Sequence, residues 1–198
     1  MKLLAAFASL ALLASLPIGP AFPQGTGGAA VSPRQTENEI AALINDYRRR
    51  SGLPPIARSP AMDRVARAHV EDLAANHPDQ GVDSRGLPCN AHSWSAHGRW
   101  RAVCYTADHF YAAAMWSKPS EITGGAYSAQ GFEIAMWTSG AAISAESALA
   151  GWQRSSAHNA VIIEQERWAG ARWQAMGVGV GPGYAVVWFG KVPDGSGR

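Results

Sequence analysis

The sequence predicts an α+β domain, with helices first and strands last. Three observations carry that reading. Apolar residues recur at helical spacing in two early segments, the C-terminal run 173–189 is strand-like around Gly181-Pro182-Gly183, and no internal repeat is visible. The chain has 198 residues, 47% apolar and 16% charged, with eight tryptophans, so the bulk of it is not disordered. A formal net charge of +2 without long Lys/Arg blocks argues against nucleic-acid binding.

The first segment reads as a secretory signal. Lys2 supplies a positive charge, 3–16 is apolar, and Pro17, Gly19, Pro20 and Ala21 end the run with small or helix-breaking residues. The expected signal peptide is 1–21, with an uncleaved anchor as the alternative. No other stretch approaches membrane length, so the mature protein is expected to carry no membrane span and to be secreted or periplasmic. Residues 22–35 form a Gly/Pro-rich lead-in, and 36–192 a single domain. Export favours a disulfide between the two cysteines, Cys89 and Cys104.

Thr36 and Glu39 suggest a capping box. Ile40, Leu43, Ile44 and Tyr47 then give an amphipathic helix, with Arg48–Arg50 in its last turn and Gly52 as the stop. Ser59-Pro60 opens a second helix whose inner stripe is Met62, Val65, Ala66, His69 and Leu73. His69 is thereby expected to be a hydrogen-bonded core histidine rather than a ligand. A third helix is expected over 106–116, a short strand over 131–137, and a fourth helix over 144–156, before the closing hairpin.

The candidate chemistry lies in His92, Glu133 and His158. His92 sits in an irregular loop three residues after Cys89, where no helical register explains it. Glu133 is a lone carboxylate in the apolar run 132–137, where a charge must be paired. His158 follows the fourth helix. Neither a Gly-x-Ser-x-Gly elbow nor a His-Glu-x-x-His motif is present.

Taken together, Gly131-Phe132-Glu133-Ile134-Ala135, the stretch 152–159 (Trp-Gln-Arg-Ser-Ser-Ala-His-Asn) and Met176-Gly177-Val178-Gly179 resemble, in order and spacing, the CAP superfamily in its bacterial form. That superfamily includes cysteine-rich secretory proteins, antigen 5 and the plant pathogenesis-related proteins of class one. The resemblance implies an α-β-α sandwich with a small antiparallel sheet between helical layers. Its cleft would be lined by two histidines, His92 and His158, and two acids, the first being Glu133. The position of the second acid is Ser155, and Glu146 is too far along the helix to replace it. His92 and Glu133 lie 41 positions apart, which implies an insertion at about 93–130 and keeps His97 and His109 as competitors for His92.

Some members bind zinc or copper through the two histidines, so the resemblance implies a divalent metal, zinc first, on His92 and His158. Two function classes remain. The first is a secreted binding or effector module for a ligand, protein or glycan that the sequence does not identify. The second is a metal-assisted hydrolase acting on an extracellular or envelope substrate, with Glu133 as the base for a metal-bound water. The aromatics of the insertion, Trp94 and Trp100 among them, are expected to pack it against the sandwich, with contact to carbohydrate or protein as the alternative.

Overall fold

A computed structural model describes residues 31–139 and 142–195. The expected signal peptide and residues 22–30 of the lead-in lie outside the described residues. The first helix, α1 (Pro33–Arg50), is capped by Ser32, whose side chain accepts from the Gln35 amide. It starts one turn before the Thr36 box, because Ser32-Pro33 offers a cap followed by a proline whose missing N–H costs nothing there. Helix α2 (Pro60–Asn76) is capped by Ser59 as expected.

The expected third helix is confined to α3 (Ala112–Trp116) and is followed at once by α4 (Lys118–Thr123). Then come β1 (Gly131–Trp137), α5 (Ala145–Arg154), α6 (Ser156–Ile162), β2 (Ala175–Gly181) and β3 (Tyr184–Gly190). The single helix expected over 144–156 is two helices. Ser155 takes an extended conformation, and its hydroxyl caps α6 by accepting from the His158 amide at 3.5 Å.

The sheet is antiparallel in the order β1-β3-β2, so β3 is central and all seven of its residues are buried. Alternation along the strands divides the core in two. Tyr184, Val186 and Trp188 face α2, together with Met62, Val65 and Leu73. Ala185, Val187 and Phe189 face the other way, against Ile40 and Ile44 of α1 and Leu149 and Trp152 of α5. Each large side chain buried this way contributes about 1.5–3 kcal/mol. Helix α2 lies hard against β2 because Gly177 and Gly179 are bare: a Cβ there would come within 2.1 Å of the Met62 carbonyl carbon and 2.4 Å of the Ala66 oxygen.

Two ion pairs, one buried and one partly buried, tie segments across the fold. Arg48 is wholly buried and donates to the Pro54 and Ile162 carbonyls and to Glu164 at 2.8 Å. Glu37 of α1 accepts from Arg67 of α2. Cys89 and Cys104 are disulfide-bonded. Beyond the bridge, the Asn90 amide donates to the Tyr105 carbonyl at 2.9 Å, and Trp94 and Val103 exchange backbone bonds at 2.8 and 3.0 Å. Trp94 is 1% exposed and Trp100 packs on it with centroids 4.9 Å apart, so these two aromatics hold segment 93–130 to the core. No helix among the described residues is long and apolar enough to cross a membrane.

Candidate functional site: a histidine–glutamate cleft beside β1

Glu133 is on the α2 face of β1, opposite Trp188 in the register. Its side chain is 1% exposed, and both oxygens are engaged. Nδ1 of His69 donates to Oε1 at 2.5 Å, and Nδ1 of His92 donates to Oε2 at 2.8 Å. Burial pushes the Glu133 carboxyl upward. The charge of His69 and the hydrogen bonds from His69 and His92 outweigh that push and hold it below the usual carboxylate range.

The other nitrogen of His69, Nε2, faces the Ser93 carbonyl at 2.9 Å, an acceptor only. With Glu133 ionised, His69 therefore donates from both nitrogens, and the pair is an internal ion pair. His69 also stacks on Trp94, with centroids 4.0 Å apart and rings 6° from parallel, and it meets the edge of Trp188. It is a buried hydrogen-bonded histidine, as expected, but the partner it holds is the carboxylate of the site. An inward-facing position on α2 did not reveal that partner.

His158, at the start of α6, stands across from His92 with ring centroids 6.2 Å apart. The structure thus brings His92, Glu133 and His158 together. They line a cleft of about 280 Å³, with Tyr105, Met115, Trp116, Phe132 and Trp168 among its other walls. The cleft follows β1, an edge strand of the sheet. His109 lines it as well, with Nδ1 at 2.9 Å from the Tyr105 hydroxyl. His97 is exposed, bonds to Ser95 and is outside the lining. Glu146 is exposed in the first turn of α5, and the position of the second acid, Ser155, is spent on capping α6.

Burial pushes His158 down to about 4, with the neighbouring His92 acting in the same direction and Glu133 against it. It is neutral at neutral pH. In the unfolded chain it protonates near 6.5, so acid favours the unfolded state, and stability falls between about pH 6.5 and 4 by up to about 3 kcal/mol. Urea midpoints measured across that window with a chelator present should fall less in His158→Gln than in the parent. Equal slopes would contradict the assignment. Burial, with Glu133 adding to it and Arg167 opposing, raises Tyr105, which keeps its proton.

Zinc tests poorly against these donors. Both Glu133 oxygens are committed to histidines, and no group of three His, Cys, Asp or Glu side chains among the described residues is arranged to hold a metal. An ion on His92 and His158 would have two protein ligands, where catalytic zinc usually has three.

Comparison with solved structures gives a consistent fold. A cysteine-rich secretory protein from Staphylococcus aureus aligns over 82% of this chain and 40% of its own, at 12% identity and TM-score 0.52. An outer surface protein of Borrelia burgdorferi aligns over 81% of this chain and 95% of its own, at 12% identity and TM-score 0.51. An extracellular SCP-domain protein from Bacillus anthracis covers 87% of this chain at 21% identity, with TM-score 0.49, over 44% of its own length. This chain thus spans less than half of two of these three proteins. No curated protein matches its sequence. The cysteine-rich secretory protein family model matches residues 41–180, more than half of the sequence, and the chain belongs to that family, the CAP family.

Proposed function

We propose that the protein is an exported CAP-domain binding module that takes a small ligand in the cleft of His92, Glu133 and His158. The observation that carries this reading is the double commitment of Glu133. A carboxylate that is buried and bonded through both oxygens orients His92 rather than serving as a free base, and Ser155 supplies no second acid. Export is supported by the signal-like sequence of 1–21 and by the disulfide, which suits an oxidising compartment.

Two measurements on one sample test the reading. Fragment screening by NMR should shift the ring resonances of His92 and His158, and zinc titration by calorimetry should give weak binding. The rival, a metal-assisted hydrolase, requires stoichiometric zinc that is lost in both His92→Ala and His158→Ala, and turnover that is lost in Glu133→Gln with the fold intact. That pattern would displace the binding module. A cleft that no fragment perturbs would remove it altogether.

A further inference from the structure

The chemistry of the cleft walls narrows the ligand, on the assumption that the cleft is a binding site. Its floor has no free carboxylate to offer, because both Glu133 oxygens are taken by His69 and His92. What the floor offers is a set of imidazoles. His92 spends Nδ1 on Glu133, which leaves Nε2 as its other hydrogen-bonding atom. His158 has no side-chain hydrogen bond among the described residues.

Segment 93–130 adds a third. The Tyr105 hydroxyl shares a hydrogen bond with His109 Nδ1 at 2.9 Å, which leaves Nε2 as the other hydrogen-bonding atom of that ring. The polar floor is thus a set of imidazole nitrogens, which hydroxyl groups satisfy because each both donates and accepts.

Beside this floor runs a row of rings. Trp116 lies 6.3 Å from Phe132, and Phe132 lies 5.1 Å from Trp168, centroid to centroid. Trp116 is 37% exposed at the cleft. Glu166 and Arg167, adjacent in the single turn Glu166–Trp168, bring opposite charges to the rim. An aromatic face next to a hydrogen-bonding floor matches a ring with one apolar face and an edge of hydroxyls.

We propose that the cleft binds a neutral pyranose unit of a glycan, stacked on Trp116 and hydrogen-bonded by His92, His158 and His109. Tyr105, His109 and Trp116 all come from segment 93–130, so ligand choice depends on that segment.

The test is a titration of the full oxidised chain with two neutral probes, cellotetraose and the tetramer of N-acetylglucosamine. Heparin and dodecanoate serve as a charged polysaccharide and a charged amphiphile. The readouts are the indole N–H signals of Trp116 and Trp168 and the histidine ring signals. A neutral tetramer should shift them saturably and without salt dependence. Trp116→Ala should weaken binding tenfold or more, and His109→Ala several-fold. Trp116 is partly exposed, so its removal should leave the thermal midpoint within a few degrees, which separates lost binding from lost folding. Shifts caused only by heparin or dodecanoate, or only by unrelated fragments, would overturn the neutral pyranose while leaving a binding cleft. No shift with any probe would overturn both.

Discussion

His69→Leu should cost the protein about 3–5 kcal/mol, the range for removing one partner of a buried ion pair. The loss has three sources: an uncompensated Glu133 oxygen, an unsatisfied Ser93 carbonyl and a lost stack on Trp94. Glu133→Gln should cost much less, about 1–2 kcal/mol, because an amide still hydrogen-bonds the imidazoles. The double variant His69→Leu/Glu133→Leu should recover much of the single loss, since it removes both charges together. Urea unfolding followed by circular dichroism measures all three. A His69→Leu cost under about 1 kcal/mol would mean that the pair is not the buried charge compensation described above.

The second large effect concerns the seat of α2. Gly177→Ala and Gly179→Ala each place a methyl group against helix backbone, at 2.1 Å from Met62 and 2.4 Å from Ala66. Backbone cannot rotate away as a side chain can. Each substitution should therefore cost at or above the usual 1–3 kcal/mol of overpacking, and the pair together should abolish cooperative unfolding. Gly151→Ala is the control. Its Cβ would meet the flexible Met136 Cε at 3.6 Å inside a helix, so it should be neutral or stabilise by up to about 1 kcal/mol. A thermal melt that ranks Gly151→Ala below Gly179→Ala would contradict the packing argument.

How much of this could be read in advance varied with the physics involved. Strand and helix periods placed α1, α2, β1 and the closing hairpin, because half-buried elements advertise their buried face. The split between α5 and α6 was hidden, since Ser155 is unexceptional until its hydroxyl is seen capping the next helix. Arg48 reads as one cation among three at a helix end, yet it is wholly buried because Glu164 and the Ile162 carbonyl, distant in sequence, join the nearby Pro54 carbonyl around it. Glu133 was legible as a charge needing a partner, and the loop position of His92 marked it as a candidate. That Glu133 bridges His92 to His69 was not legible, because the meeting depends on α2 lying against the sheet at glycine distance. His109 was carried only as an alternative to His92. It joins His92 at the cleft without replacing it.

The disulfide has an implication for how such a cleft could diversify. It closes the loop that carries His92, while the buried carboxylate Glu133 and its partner His69 are set by β1 and α2. Recognition and framework are therefore separable, as they are for antibody loops carried on an immunoglobulin sandwich. Beyond the bridge, residues at the mouth such as His109 and Trp116 are free to vary in sequence without disturbing the ion pair beneath. The same polar floor could then serve different ligands in different relatives, and a library randomised at these mouth positions would be a practical route to new specificities.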